Sequence, residues 1–222
     1  MLDKTPILAI ETSQSCCGAC VYFDDSKFFE MNIKHKNSHA EKIYEIIDTV
    51  INSSNISLKE IGVVAVSSGP GSFTGLRIGM SAAKGIAFGA SLPIIAVPTF
   101  EAFAFQIANT LKDDTEFIIA NKVNSDEVYF AQFKVKDNNY IFTRDLQILK
   151  ASDRISFEDD CPVYGNASFN FKIRNQIKSI TSPKTEYVAK WAKHFGEDKL
   201  KYDFDYLEPN YLKNFVVKEK TL

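Results

Sequence analysis

The chain has 222 residues and a mass of 25.0 kDa, room for one ordinary domain or two small ones. Apolar residues make up 45% and charged residues 24%, a balance that excludes disordered, collagen-like and coiled-coil chains. Lys and Arg number 26 against 28 Asp and Glu, a net charge of −2, which excludes a polybasic nucleic-acid binder and leaves phosphate contacts to another protein or a local patch.

The four cysteines are Cys16, Cys17 and Cys20, crowded together, and the remote Cys161. A disulfide framework would spread them along the chain, so a reducing cytoplasm is expected. Cys17-Gly-Ala-Cys20 has metal-knuckle spacing without a second ligand pair, which reads as small buried strand residues. Asp3 and Lys4 interrupt the start, so no signal peptide is expected, and every apolar run stops short of the ~20 residues of a membrane span.

In chain order, Pro6 to Ser13 and Gly18 to Phe23 predict a strand hairpin, with Lys27 to Ile33 as a third strand. Asn37 or Ser38 then caps a helix whose core stripe is Ala40, Ile43, Tyr44, Ile47, Val50 and Ile51. Ile46 falls off that stripe, so the helix calls for a second packing partner. The apolar run Ile61 to Val66 predicts a buried central strand, opening into the glycine loop Ser67 to Gly75 and a helix over Leu76 to Ala90. That helix carries Gly79 and Gly85 among small residues, which argues for close approach of another backbone. Leu92 to Val97 predicts another strand, and Thr99 caps a helix over Phe100 to Lys112.

The second half opens with a three-stranded meander over 116–120, 127–135 and 140–149, then a short strand at Pro162 to Tyr164. Helices are predicted over Ala167 to Lys178 and Thr185 to Phe195, and a frayed tail from Lys213. Strands then helices, twice, predicts two mixed α/β lobes of roughly 100 residues each with a seam near Pro98 to Thr110.

Three constellations carry candidate chemistry. A strand running through Gly69-Pro-Gly-Ser-Phe-Thr-Gly75 into a helix places free N–H groups where an anion fits, although neither the Walker nor the dinucleotide spacing is present. Gly69, Gly71 and Ser72, with Glu11, Thr12 and Ser13 at the first strand's end, are therefore the candidate nucleotide contacts. The competing reading is a turn that merely packs a strand beside a helix, with Glu11 solvated or capping. His35 and His39 have His-x-x-x-His spacing but straddle the helix start, so a cap region is the simpler reading and no metal site is expected. His194 reads as a partner for a helix C-terminus, and Arg77 with Lys84 as an exposed basic edge.

Leu8-Ala-Ile-Glu-Thr-Ser13, Ser68-Gly-Pro-Gly-Ser-Phe-Thr-Gly-Leu-Arg-Ile-Gly79, Ala83-Lys-Gly-Ile-Ala-Phe88, Glu127-Val-Tyr129 and Pro209-Asn-Tyr-Leu-Lys213 together resemble the bacterial TsaB family. The glycine-loop segment is the specific part. The resemblance implies the two-lobed, RNase H-like fold of actin, chaperone ATPases and sugar kinases, with lobes at 1–103 and 104–222. It implies a dimerisation subunit of the cytoplasmic complex that makes N6-threonylcarbamoyladenosine beside the anticodon of tRNAs reading codons that begin with A. In that family the related subunit TsaD holds a metal through two histidines after its glycine loop. The corresponding Thr99-Phe-Glu-Ala-Phe-Ala-Phe105 contains none, which implies a subunit that supports TsaD without doing the chemistry.

The resemblance also implies an interface with TsaD on the first helix and the helix after the glycine loop. Its expected residues are His39, Ile43, Ile46, Ile47, Val50, Leu76, Arg77, Gly79, Met80, Ala83, Lys84 and Ala87. Further expected partners are a TsaE-type ATPase in the full complex, tRNA reached indirectly, and a second copy of the chain when TsaD is absent. No cofactor is required of this chain, with ATP or ADP and Mg carried as an option at or near the interface. Two departures stand out: Ala120-Asn-Lys122 where many relatives carry Asp-Ala-Arg, and Glu11 where Asp is commoner. The competing class is an independent kinase or ATPase of the same superfold, which needs acidic companions for Glu11; a metalloprotease is the weakest reading.

Overall fold

The computed structural model describes residues 2, 5–34, 39–150, 161–167, 176–177 and 179–212. The first five strands are β1 (Ile7–Glu11), β2 (Cys16–Asp24), β3 (Lys27–Lys34), β4 (Val63–Gly69) and β5 (Ile94–Pro98). They form one sheet in the order β3-β2-β1-β4-β5, antiparallel through the hairpins and parallel from β1 to β5. Strands β6 (Glu116–Lys122), β7 (Glu127–Lys136), β8 (Asn139–Lys150), β9 (Val163–Tyr164) and β10 (Gln176–Ile177) form the second sheet. Its order, β10-β9-β6-β7-β8, repeats the first: two hairpin neighbours on one side of the leading strand, two parallel strands on the other. The repetition inferred from strands-then-helices is thus a repetition of sheet topology.

Among the described residues four α-helices, α1 (His39–Ser54), α2 (Phe73–Ala90), α3 (Thr99–Ala108) and α4 (Thr185–Phe195), cover the sheets. Strand alternation explains the continuous apolar runs, because both faces of the first sheet are covered. Leu8, Ile10, Val64 and Val66 point to α1 and α2, while Ile7, Ala9, Val63 and Ala65 point to α3 and α4. Helix α3 is apolar on every side and buried except for a half-exposed Glu101. Ala102 and Phe105 pack toward the first sheet, and Phe100, Phe103 and Ile107 toward the second. Helix α4 follows the second sheet in sequence yet lies on β1 and β2 of the first. The 103/104 position falls inside α3. The Tyr140 hydroxyl joins β8 to both helices, donating to Glu101 at 2.6 Å and accepting from Trp191 Nε1 at 2.9 Å.

Several sequence expectations need correction. On α1, Ile46 is buried with Ile43, Ile47 and Val50, while Tyr44 is 57% exposed. The helix is wedged between β2 and β3 on one side and α2 on another, so the second partner that Ile46 called for is α2 of the same chain. Thr99 does not cap α3: Pro98 holds that position, and the Thr99 hydroxyl accepts from the Gly69 amide at 3.0 Å. The helix expected over 167–178 does not form at its described ends, since Ala167 is outside any element and Gln176–Ile177 pairs with β9. The rest of that segment, His35, the cap positions Asn37 and Ser38, and the tail from Lys213 lie outside the described residues. Cys17 and Cys20 are buried strand residues, as expected, and burial pushes the Cys17 thiol up to about 11 and the Cys20 thiol higher still.

Candidate functional site

The glycine loop packs directly on the turn after β1. Thr12 Oγ1 donates to the Gly75 carbonyl at 2.8 Å, and the Ser72 amide donates to the Ser13 carbonyl at 2.7 Å. Added Cβ atoms at Gly71, Gly75 and Gly79 would collide with Ser13 O, Thr12 O and Thr12 Oγ1 respectively. At Gly71 and Gly75 glycine is required because two backbones touch, and at Gly79 because the Thr12 side chain fills the space, so the close approach that the small-residue helix called for is made, at Gly75 and Gly79, within the chain. Ser72 caps α2 by accepting from the Gly75 amide at 3.2 Å.

Glu11, Thr12 and Ser13 are fully buried. The Glu11 carboxylate accepts from the Ser13 amide and hydroxyl on one oxygen and from the Ser67 hydroxyl on the other. Burial pushes its acid up to about 7, against these hydrogen bonds, which favour the ionised form. The six candidate nucleotide contacts thus do come together, but as a tie between β1, β4 and α2: Glu11 is saturated by serines, and the Ser72 and Gly69 amides are already spent on Ser13 and Thr99. Hydroxyl-rich strand ends are the signal that could have shown this internal use of Glu11.

His39 begins α1 and is half-buried; its Nε2 lies 2.9 Å from Gln14 O and 3.1 Å from Cys16 O. Two carbonyls around one ring nitrogen require that nitrogen to carry the proton, so His39 pins the β1–β2 turn. His39→Ala is expected to lower stability by about 1 kcal/mol in urea unfolding, with His39→Gln recovering part of the loss.

Most of the expected interface residues are not surface. Ile43, Ile46, Ile47, Val50, Leu76, Gly79, Met80, Ala83 and Ala87 are buried, and all but Leu76 and Gly79 belong to the first core cluster. Arg77, which is exposed, and Lys84, which is half-buried, reach the strap-like segment formed by residues 204–212. The Arg77 guanidinium sits 3.9 Å from the Phe73 ring centroid and its Nε donates to the Tyr211 hydroxyl at 3.1 Å. Lys84 Nζ donates to Asp205 O at 2.8 Å, and the Asn210 amide donates to Ser68 O at 2.7 Å. The strap therefore closes over the glycine loop, and Gly69, at φ +115°, leaves the space that Asn210 O uses. Tyr211→Ala removes the tilted ring contact with Phe73, whose centroid lies 5.2 Å away. It is expected to cost about 1 kcal/mol and to speed limited proteolysis within 204–212 before the core is cut.

What α1 and α2 do present outward is a different set. Phe88 is 80% exposed, beside Gly85 and Gly89, where an added Cβ would meet nothing within 4 Å; Tyr44 stands out from α1. An exposed aromatic beside two open glycines leaves a flat, apolar strip suited to a packed helix. Sequence reasoning named Gly85 and quoted Phe88 only as the end of a family motif, not among the expected interface residues.

The comparisons with known proteins agree with this architecture. The family model described as TsaD, tRNA N6-adenosine threonylcarbamoyltransferase, matches residues 33–143. A tRNA threonylcarbamoyladenosine biosynthesis protein TsaB from Haemophilus influenzae is 34% identical over 59% of this chain, which spans only 55% of that protein. The protein of the same name from Buchnera aphidicola of Baizongia pistaciae is 30% identical over 82% of this chain and 86% of its own length. A solved Pseudomonas aeruginosa structure described as similar to the peptidase YeaZ superimposes with a TM-score of 0.78 at 19% identity, covering 94% of this chain and all of that one. The likeness fixes the fold as the two-sheet, actin-like α/β architecture. With 30% identity along most of a relative's length and the glycine loop, paired sheets and flanking helices in place, the chain belongs to the TsaB family.

Proposed function

We propose that the chain is the non-catalytic subunit of the machinery that places threonylcarbamoyl on N6 of a tRNA adenosine, and that it pairs with a TsaD-type catalytic subunit. The relatives' names, which give a role in threonylcarbamoyladenosine biosynthesis, support the pathway, and the match of residues 33–143 to the TsaD family model supports pairing between two chains of like fold. The observation that carries the proposal is the bare strip of Phe88, Gly85 and Gly89 on α2 with Tyr44 on α1. Leaving a phenylalanine in water is unfavourable by about 2 kcal/mol relative to covering it, and a helix seated on the open glycines would cover it.

The non-catalytic part rests on the site itself. Glu11 is tied up by Ser13 and Ser67, and among the described residues no three His, Cys, Asp or Glu side chains gather as a metal site requires. In this reading the chain needs no cofactor of its own; ATP or ADP with Mg, and a TsaE-type ATPase, act at the assembled complex, and tRNA is reached through the partner. No described helix is long and apolar enough to cross a membrane; work on tRNA in the cytoplasm is part of the proposed role. Without its partner the same strip pairs two copies of the chain.

Purified chain alone is expected to show no threonylcarbamoyl transfer and no Mg-ATP turnover. Mixed with TsaD it is expected to elute as one stable complex in size-exclusion chromatography and to give a saturating heat in calorimetry. ATP turnover by the isolated chain, or absence of a complex, would overturn the proposal in favour of an independent ATPase.

A further inference from the structure

A cleft of about 320 Å³ runs between α2 and residues 204–212. Arg77, Ser81 and Lys84 line it from the helix, and Leu207, Glu208 and Tyr211 from the facing segment. Arg77 is held in place before anything binds. Its guanidinium lies 3.9 Å from the Phe73 ring centroid and 5.9 Å from that of Tyr211, and its Nε donates to the Tyr211 hydroxyl at 3.1 Å. Lys84 Nζ donates to a backbone oxygen, Asp205 O, at 2.8 Å. Among the described residues the two Nη groups of Arg77 have no acceptor, and neither Arg77 nor Lys84 forms an ion pair with a carboxylate.

A guanidinium whose Nε is occupied still offers its terminal edge, a fork that matches one carboxylate. A surface arginine ordinarily loses rotamer freedom when it makes such a pair, and the two rings and the hydroxyl have already removed most of that freedom here. Two cations and the single carboxylate of Glu208 leave the lining with a net charge of +1. One further carboxylate neutralises it. A phosphate dianion or a run of phosphodiesters brings an excess of negative charge to a cleft that already holds Glu208.

The position of the cleft says what carries the carboxylate. Arg77, Ser81, Gly85 and Phe88 form one exposed line along α2, so the cleft continues the bare strip at Gly85, Phe88 and Gly89. A helix seated on that strip reaches the cleft one to two turns farther along, and by covering it excludes water and strengthens an ion pair inside. We propose that the cleft receives the side-chain carboxylate of an aspartate or glutamate of the TsaD-type subunit, bound by the Arg77 Nη groups with Lys84 as the second cation. This contact rests on the pairing proposed above and adds to it the chemical group that the partner brings.

The complex of the full chain with the TsaD-type subunit is titrated by calorimetry at low and high salt. Arg77→Gln is expected to weaken it about tenfold or more and to flatten its salt dependence, with Arg77→Lys recovering part of the loss. A water-soluble carbodiimide, which joins an amine to a carboxylate as an amide, is expected to link Lys84, or the amine that Arg77→Lys introduces, to one Asp or Glu of the partner. Absence of any wild-type complex overturns the pairing, and this contact with it. A complex that Gly85→Arg weakens while Arg77→Gln leaves its affinity and salt dependence unchanged overturns the carboxylate contact alone, as do cross-links confined to Glu208 of the same chain. Saturable binding of inorganic phosphate or tRNA to the isolated chain, lost in Arg77→Gln, assigns the cleft to phosphate instead. Should Arg77→Gln loosen residues 204–212, seen as faster proteolysis there, the cross-link decides: a partner carboxylate joined in the cleft supports the contact, and none overturns it.

Discussion

Gly85→Arg is expected to leave the fold intact and to weaken binding of the TsaD-type subunit at least about thirtyfold, a loss of about 2 kcal/mol. Gly79→Val, six residues earlier on the same helix, is expected to destroy the fold instead. The contrast follows from what each glycine faces. A side chain at Gly85 enters open space and replaces a poor helix former with a good one, which raises the isolated chain's stability by up to about 1 kcal/mol. A side chain at Gly79 is driven onto Thr12 Oγ1, the atom that ties β1 to the first turn of α2, at a cost of about 3 kcal/mol or more. Phe88→Asp should act with Gly85→Arg, leaving urea unfolding nearly unchanged while removing apolar area from the contact. The measurements are urea unfolding of each isolated variant and calorimetric titration with the partner. Equal affinity for wild type and Gly85→Arg would place the interface elsewhere.

The same pair of glycines shows how far the sequence could be read. The parallel half of the first sheet was legible because a strand covered on two faces must be apolar throughout, and Ile61 to Val66 and Leu92 to Val97 were; in the second sheet the meander was legible and β10 was not. The glycine loop was legible as a place where backbone comes close, but not which backbone. Spacing alone puts Gly79 and Gly85 on one small-residue helix, and only tertiary packing divides them into one that touches Thr12 and one that touches nothing. Tyr44 and Ile46 were exchanged for a related reason: a helix in a groove between a sheet and another helix buries a wider arc than a single stripe, so periodicity misplaces its edges. Asn121 and Lys122 stood out only as a departure from the family pattern, and nothing local marked Gln14 or Asn166. Asn166 Nδ2 donates to Gln14 Oε1 across 152 residues of sequence, a contact that depends on the β1–β2 turn meeting the turn after β9.

Stability of the isolated chain is expected to fall as the pH rises from about 4.5 to about 7, through Glu11. Unfolded, this residue titrates as an ordinary glutamate near 4.5; folded, burial raises it to about 7. Below 4.5 both states hold the proton and the site contributes nothing to pH dependence. Between those values the unfolded chain has released the proton while the folded chain keeps it, so each increment of pH favours unfolding. Above 7 the disadvantage is complete, at about 3 kcal/mol for a difference of this size. Glu11→Gln imitates the protonated acid: its oxygen still accepts from the Ser13 amide and hydroxyl, and its nitrogen donates to Ser67 Oγ where the carboxylate accepted. Urea unfolding from pH 4.5 to 8.5 should therefore show the variant matching wild type at the acid end and exceeding it by up to about 3 kcal/mol at pH 8. Taking the difference between the two proteins cancels every other titrating group. Parallel curves would mean that Glu11 ionises in the folded chain at an ordinary pH, and that the serines around it outweigh its burial.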